Sequence, residues 1–557
     1  MGADGDAPAA GAMTPERRRT AVRYAIALDL IVITTGVALL LPPSPAAIIA
    51  CLLFAVIAGS WMFGRQGGTT TTIAALFVLG FVFGSVARLQ DYVFFTLAAM
   101  AATAAMPRLR AAATHVPIVE PPRSHRVPPA WLWTLALPGL VALVYSDISE
   151  VFVAHGGFSV LQFAIVAAAA LIWFYRDALQ PWRIALQPLT LTLGFYAAII
   201  FVSTVWADDL WAADESVVKA IKNLLLYFVI AALASSWQAL RRGLVAMVVT
   251  AAILAFVSVA QIGTGREFGE LGGLATVAYG TIYEESADAR AAGPLGDANF
   301  YGQILVLVLP LAAAIAWTSD RRRWKLVWLA AGFVVAGGVL ATYSRGAMLG
   351  MAIMTALALW ALHVPLTRVA LGTAIMIVAL ILAPGNVGRR FMTIEMLFPK
   401  EEAYTPPEAS FERRKLVTAT AARMWDDNLL TGVGTGNYQT FFDRYSNVAG
   451  STAEHFYRAG DSQNAHSLYL EIGAETGLLG LTGFATIIFV AYGQLRRARR
   501  DLRTRGDPNA HLALALMIAT AGYLITSMFL HGGFQRYFFM LLAFVAAVSR
   551  LASEEPA

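Results

Sequence analysis

One arginine lies where a charged side chain is costly. Arg345 falls in a very short link, residues 342–347 (TYSRGA), between two apolar runs that are long enough to cross a membrane. A guanidinium at that depth is unfavourable unless it meets an anion or lines a wet cavity, so such charges are commonly functional. Its planar fork suits phosphate oxygens. The alternative is an arginine that reaches from the turn to the membrane surface.

A second group of cations lies further along the chain. Arg414 and Arg423 fall within the segment 411–425, beside Arg413 and Lys415, and Arg413, Leu416, Thr420 and Arg423 are at helical spacing. The spacing predicts an amphipathic helix. One interpretation is a phosphate-binding face. The other is a solvated basic face, which is the more common origin of a charge run.

His466, in the segment 464–471 (NAHSLYLE), precedes another apolar run. Histidine titrates near neutral pH and can act as a general base. A structural, hydrogen-bonded histidine is the alternative. Arg536, in the segment 531–536 (HGGFQR), is better interpreted as an interfacial anchor than as a further anion contact.

The elements that must position these residues are membrane-spanning helices. The 557 residues are 58% hydrophobic and 14% charged, with a mean hydropathy of +0.62, which is too little charge for the surface of a soluble protein. An all-α, polytopic membrane protein with about 16 spans is predicted. The predicted spans are 24–41, 46–63, 70–87, 92–106, 131–146, 159–175, 186–205, 217–234, 243–262, 300–318, 326–342, 347–363, 367–383, 477–493, 511–530 and 537–551.

The charges of the connecting segments predict the orientation. Residues 1–23 are expected to be a cytoplasmic tail rather than a signal peptide, because no small-residue cleavage site follows. With both termini in the cytoplasm, about 25 Lys and Arg fall inside, against about 7 in the outer segments other than the long loop. The candidate residues then share the outer side.

One outer segment, residues 384–476, is too long for a simple connection. Beyond the helix at 411–425, the sequence predicts a turn at 432–438 (GVGTGNY) and a helix from 465 to 476 that continues into the next span. The domain organisation is predicted as a tail (1–23), an N-terminal transmembrane region (24–262) and a second transmembrane region (263–557) that includes this loop.

Several kinds of site are not expected. The single cysteine, Cys51, excludes an intramolecular disulfide, and no His/Cys/Asp set has the spacing of metal ligands. A phosphate-binding loop for ATP is absent from the sequence, and the basic charge fits membrane topology better than nucleic-acid binding. We therefore expect no metal, no cofactor and no nucleic-acid partner, although membrane lipids surround the chain.

The order of these motifs resembles the O-antigen ligase and polymerase family of bacterial membrane proteins. The resemblance covers residues 293–545. It rests on Gly293-Pro294 through Asn299 to Pro310, on 344–347 (SRGA) with Leu349, on Arg414 followed by Asn428 and the 432–437 string, and on His466-Ser467 nine residues before 477–480 (GLLG). The first 200 residues carry no such signature, and about 16 spans exceed the roughly twelve expected of a ligase.

The resemblance implies a GT-C-like, metal-independent glycosyltransferase in the bacterial inner membrane. Such enzymes move a glycan from undecaprenyl diphosphate to an acceptor lipid or glycan on the periplasmic face, as in lipopolysaccharide assembly. It implies that His466 activates the acceptor hydroxyl, that Arg345 and Arg414 bind the diphosphate, and that Arg423 assists.

Two alternatives stay open. One is a polymerase of the same family, in which the acceptor is another lipid-linked repeat unit; Arg423 and Gly434 fit an arginine–glycine string of the polymerases. The other is a flippase or transporter of lipid-linked glycans. Transporters commonly show internal repeats and broken helices at mid-membrane, whereas here the polar features concentrate at one face.

Overall fold

The computed structural model describes residues 132–154, 159–264, 272–278, 289–363, 409–446 and 463–554. The first four predicted spans, the predicted span 367–383 and much of the predicted long loop lie outside these residues. Nearly all described elements belong to one compact unit, residues 124–209 and 219–557. Residues 210–218 belong to a second unit. The predicted domain boundary at 262/263 stays a prediction.

The described part of the chain is almost wholly helical. A π-helical turn at Leu132–Ala136 leads into the first α-helix. The α-helices are α1 Leu137–Ser146, α2 Ile148–Ala154, α3 Val160–Phe174, α4 Arg176–Leu179, α5 Pro181–Ala185, α6 Pro188–Ser203, α7 Leu210–Leu233, α8 Trp237–Thr264, α9 Ala298–Trp317, α10 Arg322–Ala341, α11 Arg345–Ala361, α12 Ala409–Asp427, α13 Tyr438–Ser446, α14 Leu468–Thr504, α15 Ala510–Thr526 and α16 Arg536–Ser553. Short 3₁₀ turns occur at Thr204–Trp206 and Gly532–Phe534.

The helices have the length and composition of membrane spans. Seven of those described are long and apolar enough to cross a membrane, and the bent pair formed by α1 and α2 makes up to eight. Three more, α3, α11 and α15, are apolar but shorter. Every predicted span within the described residues coincides with one of these helices, which confirms the prediction of a helical, multi-pass membrane protein.

Two helices form the centre of the bundle. In α9, 78% of the apolar window is buried, and in α16 the value is 83%, whereas in α10 it is only 22%. The helices α9 and α16 are therefore covered on nearly all sides, whereas most of the surface of α10 is exposed. Small residues allow close approach between helices: a Cβ added to Gly302 of α9 would lie 2.7 Å from the Cβ of Ala347 in α11.

Charged and aromatic residues gather at one end of the bundle. Where α9 ends, Arg241 of α8 donates to the carbonyl of Thr318 at 3.3 Å, and the ring of Trp317 lies 5.6 Å from that of His511. The basic starts of α8 and α10 therefore gather at this end. Twenty residues of α9 span about 30 Å, so its other end reaches the opposite side of a membrane.

One departure from a purely helical chain is small. Strand β1, Thr276–Ala278, pairs antiparallel with β2, Arg290–Gly293, in the segment between α8 and α9. Alternation over three or four residues is too short to be recognised in the sequence.

Candidate active site

The turn that carries Arg345 is built by local hydrogen bonds. Thr342 donates its hydroxyl to the carbonyl of Val339 at 2.7 Å and accepts the Ser344 N–H at 3.2 Å. Ser344 caps α11 by accepting the Ala347 N–H at 3.4 Å. Arg345 is the first residue of α11, and its side chain is exposed. The predicted tight link is confirmed, and it holds Arg345 at a defined helix start.

An arginine that the sequence analysis missed supports this turn. Arg290 of β2 donates from Nε to the Thr342 carbonyl at 3.0 Å and from a terminal nitrogen to Asn299 Oδ1 at 3.1 Å. Arg290 therefore joins the hairpin, the turn and the start of α9. In the sequence, the only indication of its role is its position three residues before the Gly293-to-Asn299 motif.

His466 has an unusual backbone conformation. Its φ is 46°, in the left-handed region. Tyr343, in the link that carries Arg345, has a φ of 48°. Such conformations are uncommon outside glycine and persist where the surroundings hold them. Both segments that carry candidate residues thus contain a constrained non-glycine residue.

A second histidine lies beside His466. The ring of His531, in the link between α15 and α16, meets the His466 ring edge-to-face with centroids 6.4 Å apart. On its other side it meets the ring of Phe300 of α9, 4.9 Å away. The sequence pattern distinguishes His531 only as part of the segment 531–536, which also contains Arg536. Its contacts join His466 to the end of α9 that also packs against the Arg345 turn.

Burial and, to a smaller extent, the electrostatic interaction with His466 lower the pKa of His531 to about 4, while Asp297 opposes the shift and Lys219 adds to it. The His531 ring is therefore neutral at pH 7. A neutral imidazole can accept or donate a hydrogen bond without adding a charge next to His466.

Hydrogen bonds tie the His466 segment to the two neighbouring helices. The Leu468 N–H donates to the Ser527 carbonyl at 3.0 Å, and the Gly532 N–H donates to Glu471 Oε2 at 2.8 Å. The amide of Gln303, buried in α9, donates to the hydroxyls of Thr526 and Ser527, each at 3.0 Å. The starts of α9 and α14 and the end of α15 therefore meet around His466.

The glycine-rich string 432–437 has a structural role, because its backbone bonds directly to that of α14. Val433 N–H donates to the Ala474 carbonyl at 2.8 Å, and Leu478 N–H donates to the Leu429 carbonyl at 2.8 Å. These bonds dock the string against a break in α14, where Gly477 has a φ of 62°. A Cβ at Gly432 would lie 2.3 Å from the carbonyl carbon of Glu475. The predicted turn is confirmed, and its glycines permit a backbone-to-backbone approach.

The predicted amphipathic helix is confirmed as α12. Its buried face joins a cluster of apolar residues, namely Val417, Ala421, Met424, Val433, Tyr438, Phe442, Ala465 and Ala474. Ala465 and Ala474 flank the His466 segment, so α12 packs directly on it. The side chains of Arg414 and Arg423 are exposed. The structure thus brings together the segments of His466 and Arg345, while Arg414 and Arg423 are exposed side chains of the neighbouring helix α12.

Arg536 forms ion pairs within the protein, which the favoured interpretation as an interfacial anchor did not include. Its guanidinium contacts Asp147 Oδ2 at 2.7 Å and Glu150 Oε1 at 3.5 Å, and its side chain is 16% exposed. This ion pair ties α16 to the bend between α1 and α2. In the part of the chain that the structure describes, no group of three or more His, Cys, Asp or Glu residues could hold a metal ion.

Comparison with known families identifies the region that holds the candidate residues. The family described as O-Antigen ligase matches residues 330–485, from the middle of α10 into α14. This part of the chain is therefore similar to the O-antigen ligase family. This region contains Arg345, Arg414, Arg423 and His466, whereas Arg290 and His531 lie outside it. No curated protein matches the chain.

Proposed function

We propose that the protein is a membrane glycosyltransferase that moves a glycan from undecaprenyl diphosphate to a hydroxyl of an acceptor lipid or glycan, in the manner of an O-antigen ligase. The supporting observation is that the His466 segment and the Arg345 turn pack on the same end of α9 within or beside the O-antigen ligase region. That end is the one that the charge pattern assigns to the periplasm.

In the proposed reaction, His466 accepts the proton of the acceptor hydroxyl while the oxygen attacks the anomeric carbon of the donor sugar. The bond between that carbon and the diphosphate oxygen breaks, and undecaprenyl diphosphate leaves with the bonding electrons. Arg345 and Arg414 stabilise the negative charge of the leaving group, and Arg423 assists. The proton on His466 is then released to solvent.

The groups around these residues have supporting roles in the proposal. Arg290 holds the Thr342 carbonyl and so fixes the start of α11 from which Arg345 projects. The neutral His531 ring packs edge-to-face on His466 and limits its rotation without adding a competing charge. Preorganised groups of this kind need little rearrangement during the reaction.

Deletion of the gene, followed by analysis of surface and lipid-linked glycans, tests the proposal. Long lipid-linked polymer that is never attached to an acceptor is expected for a ligase. Accumulation of single lipid-linked repeat units on the periplasmic side would replace the ligase by a polymerase of the same family. Lipid-linked units trapped on the cytoplasmic side would indicate a flippase. Glycans identical to wild type would overturn all three.

Complementation distinguishes catalysis from a scaffolding role. The deletion strain should recover surface glycan with the wild-type chain but not with His466→Ala at equal abundance in the membrane. Recovery with both chains would remove His466 from the reaction and leave the similarity to the family unaffected.

A further inference from the structure

A cavity lies at the end of the bundle opposite the candidate active site. It has a volume of about 340 Å³ and is formed where the start of α8, the end of α9 and the start of α10 meet. Since α9 separates the two ends by about 30 Å, the cavity lies at the other face of the membrane from His466. The proposed glycan transfer makes no use of it.

The walls of this cavity combine cationic and apolar groups. Arg241 and Arg321 contribute guanidinium groups, and Asp320 is the one carboxylate among the lining residues. Val245 and Ile315 provide apolar surface. The lining therefore carries a net positive charge at the edge of an apolar wall.

Two tryptophans complete the wall on the side of α10. The rings of Trp324 and Trp328 stack with centroids 6.2 Å apart and an interplanar angle of 21°. Tryptophan rings are enriched at the level of lipid headgroups, where one edge is wet and the other apolar. Their presence places the cavity at the boundary between headgroups and acyl chains.

From its second turn onwards, α10 presents exposed apolar side chains. Its exposed large side chains include Leu326, Val327, Leu329 and Phe333, between 46% and 78% exposed. These residues extend along α10 from the level of the tryptophans towards the middle of the membrane, and their exposed apolar side chains fit acyl chains. The cavity and the helix together match a molecule with an anionic head and two apolar tails.

We propose that this cavity binds the phosphate headgroup of an anionic phospholipid, with Arg241 and Arg321 at the phosphate and the acyl chains along α10. A cavity of about 340 Å³ accommodates a phosphodiester and its glycerol, while the tails stay outside. Basic pockets between transmembrane helices on the cytoplasmic side are suited to such headgroups. Free phosphate would satisfy the charge but not the apolar wall.

Native mass spectrometry of the full-length protein in detergent, with equimolar phosphatidylglycerol and phosphatidylcholine, tests this assignment. Wild type should retain phosphatidylglycerol over phosphatidylcholine by about tenfold. Arg241→Gln combined with Arg321→Gln should reduce that ratio to about one. Because Arg241 also bonds the Thr318 carbonyl, Arg321→Gln alone, at an exposed residue, provides a variant whose folding is not at risk and should lower the ratio severalfold.

Two further measurements test whether the cavity itself selects the lipid and whether the ligand is a lipid or free phosphate. Arg497→Gln removes an exposed arginine from the C-terminal half of α14, outside the cavity, and should leave the ratio unchanged. An equal loss in Arg497→Gln would mean that general surface charge selects the lipid, and would overturn the site. Inorganic phosphate is added as a competitor at about 10 mM. If it displaces phosphatidylglycerol, the lipid assignment is also wrong.

Discussion

The two groups of candidate residues are held in different ways. The His466 segment and the Arg345 turn are bonded to several helices, and both contain a residue with positive φ. Arg414 and Arg423 are instead exposed side chains of α12, which packs through its apolar residues. The difference suggests that the first group depends on exact backbone geometry, whereas the second contributes mainly charge.

Loss of the close backbone approach at Gly432 should have the largest effect. Gly432→Ala places a Cβ 2.3 Å from the Glu475 carbonyl carbon at a φ of 67°. We expect a loss of more than about 4 kcal/mol in the free energy of unfolding, measured by thermal unfolding in detergent. Gly493→Ala, in α14 with no atom within 4 Å of the added Cβ, should be neutral or stabilising. Equal stability of the two variants would contradict the docking role of the string.

Removal of the imidazole should stop transfer without unfolding the protein. His466→Ala is expected to lower the transfer rate by at least about 100-fold, in the range of general-base contributions. The assay follows glycan transfer in membranes with normalised protein abundance. His363, exposed at the end of α11, also has a positive φ of 52°, so His363→Ala controls for backbone strain and should retain full activity.

The buried second histidine predicts a pH dependence of stability. The folded-state pKa of His531, about 4, lies below its ordinary value of 6.5, so the unfolded chain binds the proton first. Its effect is absent above pH 6.5, destabilises the fold progressively from pH 6.5 to 4, and is constant below. The total is about 3 kcal/mol. His531→Gln should therefore show a shallower fall of unfolding temperature over this range than wild type; parallel curves would contradict the prediction.

Arg345→Lys tests whether the fork as well as the charge is needed. We expect a loss of transfer activity of about 10- to 100-fold, because lysine cannot bind a diphosphate at two points from this fixed helix start. Arg322 also begins a helix, α10, at the opposite end of α9. Arg322→Lys should therefore leave activity unchanged. Wild-type activity in Arg345→Lys would remove the diphosphate contact from Arg345.

The smallest change is expected on α12. Arg414→Lys and Arg423→Lys keep the charge of exposed side chains, so each should lower transfer by only about twofold, in the same membrane assay. A loss in Arg414→Lys as large as that in Arg345→Lys would show that α12 holds its arginines as rigidly as the turn does. The comparison between the two groups would then fail.

Much of the architecture could be predicted from composition and periodicity. Runs of apolar residues predict membrane helices for two reasons. A span must be long enough to cross the hydrocarbon core, and its backbone N–H and C=O groups must be hydrogen-bonded within the helix. The helix at 409–427 was near its predicted position for similar local reasons. The break at Gly477 was not predicted, because the helix was expected to continue unbroken into the next span. The strands at 276–278 and 290–293 were missed because they are too short to show a period.

The sequence by itself determined a helical membrane protein, the residue types suited to phosphate and proton transfer, and their order along the chain. Only the tertiary structure decided which of them meet. His466 and His531 are far apart in the chain, and so are Arg290 and Thr342; they come together because α9, α14 and the α15–α16 link end at one place. Contacts between distant segments depend on packing, and local patterns carry no information about that packing.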